Sequence, residues 1–133
     1  MKTMSQRKKT LKNKLDKLWS RAVRLAGNDT CQICGKWGNN PHHLIHKSAG
    51  NRFRWVFENG VCLCSGCHTM NQAEAAHGGG LVFADNMRKM KPEQSAWYDV
   101  AFGQNKMYGP KQHTLDELEE LQAILEDKIR EYE

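Results

Sequence analysis

Apolar side chains are scarce in this chain. They make up 39% of its 133 residues, and the mean hydropathy is −0.75. No apolar run approaches the roughly 18 residues of a membrane-spanning helix, so no membrane partner is expected. The first residues are basic and lack the apolar stretch of a signal peptide, which leads to the expectation of a cytoplasmic protein. Acid is almost missing from residues 1–26, where Asp16 alone stands against nine Lys and Arg. Residues 113–133 are short of base, with Lys128 and Arg130 against eight acids. Internal repeats are lacking, apart from two Cys-x2-Cys pairs.

What is present fits one small domain with appended helices: a basic helix at 1–27, a compact core at 28–80 and a helical extension at 81–133. A core built from so few apolar residues gains from a staple. Cys31, Cys34, Cys64 and Cys67 form the two pairs, and in an intracellular chain such pairs read as one structural zinc site rather than disulfides. Redox chemistry needs only one pair. Cys62 reads as a small buried apolar residue rather than a spare ligand. The basic segment, including Lys8, Lys9 and Lys12, points to a polyanion, nucleic acid first. The competing reading of those lysines is a solvated helix face.

Leu11, Leu15, Leu18, Ala22 and Leu25 recur at helical spacing and predict a helix over 5–26, closed by Gly27 and Asn28. Cys31 to Asn40 reads as a zinc knuckle, and His42 to His46 as a short extended run. Phe53 to Phe57 is β-prone, Glu58-Asn59-Gly60 reads as a turn, and Val61 to Cys64 as an apolar strand. A helical stretch from Cys67-His68 through Met70, Ala73, Ala75 and Ala76 should break at Gly78. Pro92 opens a helix over 92–103, followed by a loop at 103–112. Thr114 and Glu117 form a capping box for a last helix at 114–132, striped by Leu118, Leu121, Leu125, Ile129 and Tyr132. The whole is α+β.

The histidines are surplus to the zinc cage. His42 and His43 stand on one short strand, Asn59 precedes a second, and His68 opens a helix beside Cys67. Hydrolysing a phosphodiester needs an activated nucleophile, charge relief on the phosphate and help for the departing oxygen. A histidine supplies the base, because its pKa lies near working pH. Asn59 does not titrate, so its role is to hold geometry. The stretch 31–77, with CQIC, HHLIH and ENGVCLCSGCH, resembles a zinc-stapled HNH endonuclease with its strand–strand–helix metal finger (ββα-metal).

That resemblance implies His43 as general base, Asn59 as its orienting residue, and His42 and His68 as ligands of a catalytic metal. Many members carry aspartate where His42 stands. The resemblance ranks Mg2+ or Mn2+ first, and the softer imidazole shell also admits Ni2+ or Zn2+. Adjacent strand residues face opposite ways, so the roles of His42 and His43 are exchangeable on this ground. His77 would lie about 180° from His68 on one helix and joins the ligands only through a kink. His46, three residues beyond His43, is expected on the opposite strand face from His43, in a structural or phosphate-facing role rather than as a ligand, and His113 is expected to be inert.

The run from Ala49 to His68 and the Leu-rich last helix are similar to phage-encoded HNH proteins, among them the lambdoid Rap-type recombination nucleases that act on branched DNA. Homing-type, packaging-associated and restriction-like enzymes stay open. The implied partner is DNA, double-stranded or branched, in the host cytoplasm if the chain is phage-encoded. Arg52 and Arg54 are candidates for phosphate contacts, and Trp55 for the core. One site cuts one strand. Cutting two calls for a homodimer, for which the two Leu stripes offer surfaces, although packing on the domain is the simpler account of each. The alternative to an enzyme is a non-catalytic zinc-stabilised DNA-binding or scaffolding protein.

Overall fold

The computed structural model describes residues 1–70 and 80–133, with Thr69 and Met70 described as backbone only. His77 and the alanines of the expected helical stretch lie outside the described residues.

Helix α1 spans Met4–Gly27 and helix α4 spans Leu115–Tyr132. Both begin with a capping box, Thr3 with Gln6 and Thr114 with Glu117, which satisfies two orphan backbone groups at each start. Asn28 ends α1 in the left-handed conformation, at φ 50°. The buried face of α1 carries Leu15, Trp19, Ala22 and Val23, while Leu11, Leu18 and Leu25 are only partly covered. Leu118, Leu125 and Ile129 of α4 pack on that face, so the two Leu stripes meet each other within one chain. Trp55 and Cys62 complete this first core. Each fully buried Leu or Val contributes roughly 1.5–3 kcal/mol.

The sheet is a single antiparallel pair, β1 (Asn40–His43) and β2 (Gly60–Leu63). Its register sets His42 opposite Val61 and His43 opposite Gly60. Strand β2 is buried on both sides, and side chains alternate along a strand. Cys62 therefore enters the first core, while Val61 and Leu63 enter a second with Cys31, Ile33, Cys64 and Cys67. Helix α2 (Gly80–Met90) closes the second core with Phe83 and Met87, one helical turn apart. The architecture is α+β, and no helix among the described residues is long and apolar enough to cross a membrane.

Three sequence expectations change. Phe53 to Phe57 forms no strand but a run of turns leading into a short 3-10 helix, Phe57–Asn59. Its aromatic and β-branched composition reflects burial of Trp55, not sheet pairing. Helix α2 is present where the sequence suggested no element. Helix α3 runs Pro92–Tyr108, past the expected stop at 103, and ends at Gly109, whose φ is 67°. Gly103 does not break it, because Ala101 and Asn105 are buried and Asn105 Nδ2 donates to Ala49 O at 3.2 Å.

Gly60 lets α1 approach the sheet. A Cβ there would stand 2.3 Å from Val23 Cγ2 and 2.8 Å from Trp19 Cζ2. Gly60→Ala is therefore expected to destabilise the fold by about 1–3 kcal/mol, read as a lowered denaturation midpoint. An unchanged midpoint would mean that α1 moves away at no cost.

Candidate metal and catalytic site

The two Cys-x2-Cys segments are tight turns. Cys34 N donates to Cys31 Sγ at 3.5 Å, and Cys67 N donates to Cys64 Sγ at 3.4 Å. Gly35, at φ 80°, continues the first turn, with its N–H on Cys31 O at 2.9 Å. The four sulfurs all lie within 4.8 Å of one another, and Cys34 and Cys64 are 3.6 Å apart. Four thiolates at about 2.3 Å from one tetrahedral ion have this spacing, so the cluster fits a structural metal such as zinc. Burial pushes the Cys31 thiol up, but backbone N–H groups from Cys34, Cys64 and Ile33 outweigh it and bring it down to about 7. Burial raises Cys34 and Cys67. Cys62 stays outside the cluster, fully buried.

Beside the cage, a cavity of about 390 Å³ is lined by His42, His43, His46 and His68, with Asp16, Trp19, Ser20 and Lys47 around them. His42 is buried and stands edge-on to His68, ring centres 5.4 Å apart and planes at 75°. Two imidazoles bound to one ion at about 2.0–2.1 Å also place their centres about 5 Å apart. His46 is 5.1 Å from His42, ring centre to ring centre, as strand alternation away from His43 leads one to expect. Strand β1 ends at His43 and the chain then turns, yet His46 stays with His42. The even spacing from His42 to His46 is the sequence signal for this shared side. Among the described residues, the cysteines are the only group of three or more with ligand atoms that close together.

His43 points to the other side of β1. Its Nε2 is 2.9 Å from Arg54 O, and its ring lies flat on Trp19 at 3.7 Å with 6° between planes. A carbonyl only accepts, so Nε2 carries the hydrogen and Nδ1 holds a lone pair. Asn59, fully buried, works as a bracket. Its Oδ1 accepts from Ile45 N at 2.7 Å, and its Nδ2 donates to Ile45 O and Phe53 O, each at 3.1 Å.

Burial lowers the His43 imidazole from 6.5 to about 4, with Lys47 adding to the effect and the Arg54 carbonyl opposing it. Between those values the unfolded chain binds the extra proton, so stability rises with pH there. His43 thus contributes stability fully above pH 6.5 and loses it as pH falls towards 4. Denaturation midpoints at pH 7 and pH 4.5 should differ in that sense, and His43→Gln should flatten the difference. An equal slope in both proteins would contradict it.

Helix α1 supplies the wall behind His43, which its charge pattern alone does not announce. Asp16 accepts from Arg54 Nε at 3.0 Å and from a second Arg54 nitrogen at 2.8 Å. The same carboxylate accepts from Trp55 Nε1 at 2.8 Å, and Trp19 Nε1 donates to Val56 O at 2.9 Å. The Arg54 guanidinium is thereby engaged within the fold. Arg52 is engaged too, donating to Gly109 O at 2.9 Å and standing over the Tyr108 ring at 5.3 Å. Lys8, Lys9 and Lys12 line a neighbouring groove of about 550 Å³ that shares Asp16 with the histidine cavity. His113 is buried, edge-on to Trp55 at 5.2 Å.

Comparisons with protein-family models, with curated proteins and with solved structures find no match to this chain.

Proposed function

We propose that the chain is a metal-dependent DNA endonuclease of the HNH type, its ββα-metal finger formed by β1, β2 and the turn that begins at Gly66. The observation that carries this reading is the His43–Arg54 carbonyl bond, backed by the Asn59 bracket and set beside the His42–His68 pair in one cavity. Four cysteines, two ligand histidines, a fixed base histidine and a buried asparagine are a costly set for a merely structural module. A buried, fully bonded Asn59 at the junction of two chain segments matches a geometric role better than a packing one.

In this reading His43 Nδ1 takes a proton from water, whose oxygen attacks phosphorus in line with the departing 3′ oxygen. The Arg54 carbonyl keeps Nε2 protonated, so the reactive nitrogen faces the cavity and not the wall. Asn59 fixes the distance between β1 and the 53–56 turn. His42 and His68 would hold the catalytic divalent ion, Mg2+ or Mn2+ first and Ni2+ or Zn2+ next. When bound, that ion relieves charge on the phosphate and on the leaving oxygen. Cys31, Cys34, Cys64 and Cys67 would hold a structural zinc. Lys8, Lys9 and Lys12 would follow the DNA backbone, and their charge makes binding salt-sensitive. The further reading is of a phage-encoded enzyme acting in the host cytoplasm on branched recombination intermediates, as a homodimer where two strands are cut.

One assay tests this. Linear, nicked, flapped and four-way-junction DNA are incubated with each of the four metals and with chelator. Metal-dependent nicking supports the proposal, and the preferred substrate reveals branch preference. Salt-sensitive binding without cleavage under any metal would favour the non-catalytic DNA-binding or scaffolding protein instead.

A further inference from the structure

The segment 53–56 has no strand or helix to hold it, yet each of its residues is tied from outside. Phe53 O is held by Asn59, Arg54 and Trp55 by Asp16, and Val56 O by Trp19. Two of the three residues that make these ties, Asp16 and Trp19, come from α1, three residues apart and so on one face of the helix. Arg54 O, at the centre of this segment, is the acceptor for His43 Nε2. Trp19 also lies flat on the His43 ring.

We propose that Asp16 and Trp19 are positioning residues for His43. Asp16 fixes the carbonyl that orients its Nε2, and Trp19 fixes the plane of its ring. The proposal rests on His43 being the base of the reaction above. It also accounts for an acid that is otherwise out of place. Asp16 lines both the histidine cavity and the lysine groove, where its charge opposes an anionic substrate. A passive or purely electrostatic Asp16 and a positioning Asp16 therefore predict opposite results on removal.

The test uses the full chain with Mn2+ and a DNA duplex. Asp16→Ala should lower KM, because a repelling charge is gone, and should lower kcat about tenfold or more, because the base is misplaced. Asp16→Asn retains an oxygen acceptor for Arg54 and Trp55 and should recover most of kcat. Trp19→Phe keeps a flat ring against His43 and should lose less than Trp19→Ala. Trp19 is a core residue, so melting curves accompany both variants, and the surface variant Asp16→Ala decides if Trp19→Ala does not fold.

Nitrogen-15 shifts of the His43 ring provide a readout without DNA. The wild type should show the Nε2–H tautomer alone, and Asp16→Ala a mixture. A kcat that is unchanged or raised in Asp16→Ala overturns the proposal, as does a fall in kcat with the tautomer unchanged. If the wild type cleaves no DNA with any metal, the nuclease reading fails, and if His43→Ala cleaves like the wild type, His43 as base fails; in both cases the tautomer measurement on wild type and Asp16→Ala still reports on the positioning.

Discussion

His43→Ala is expected to lower the DNA-cleavage rate by at least about a hundredfold, with KM little changed. The size follows from chemistry. Water is a poor nucleophile at neutral pH, and His43 is oriented for a base, with one nitrogen fixed on a carbonyl and the ring fixed on an indole. The His42–His68 pair is separate, so the variant should retain metal binding at that site. Zinc content and the far-ultraviolet spectrum serve as controls, because removing a ring stacked on Trp19 carries some cost in stability. A variant that cuts at the wild-type rate would refute the assignment of His43 as base.

Removing the metal from the cysteine cage should have the other large effect. Small hydrophobic cores need a staple, and the second core is small: Cys31, Cys64 and Cys67 are themselves part of it, beside Ile33, Val61, Leu63, Phe83 and Met87. Structural zinc in small domains carries an apparent binding free energy of about 10–16 kcal/mol, much of it folding free energy. Cys64→Ser, or a strong chelator, is therefore expected to lower the melting temperature by at least about 15 °C. Cleavage should be lost even with Mn2+ resupplied, since Cys67 fixes the backbone next to His68. The α1–α4 pair shares no cysteine ligand and should retain part of the helical signal. Unchanged melting after verified zinc removal would show that the cage is not what holds this core.

The ends of the fold were legible because their signals are local. Leu11 to Leu25 and Leu118 to Ile129 repeat at helical period, and Thr114 with Glu117 marks a start without reference to any distant residue. The cysteine spacing was legible for the same reason. Phe53 to Phe57 was not, because its conformation is set by Asp16 and Trp19, both more than thirty residues away. Helix α2 was missed because Phe83 and Met87 are only two apolar anchors, too few to establish a period. In α3, the expected end at 103 is overridden by buried Asn105, whose partner Ala49 is distant in sequence. His46 was legible from strand alternation, which sets it away from His43 and with His42. Within the candidate site, residue types could be named from the sequence, but the helix behind His43 could not.

The pairing of α1 with α4 also has a consequence for when the molecule becomes competent. Arg21 and Glu133 meet across 112 residues of chain, the longest separation bridged by a side-chain bond in this fold. Helix α1 is synthesised first but finds its packing partner only when α4 emerges from the ribosome. Long-range pairings of this kind are slow to close, because the intervening chain must lose its freedom first. Until then the core that Trp19 shares with α4 is incomplete, and Trp19 is the ring that covers the His43 imidazole. A nascent chain would already display its lysines while the proposed catalytic histidine was still unassembled, so any attraction to a polyanion would precede the proposed reactivity during biogenesis.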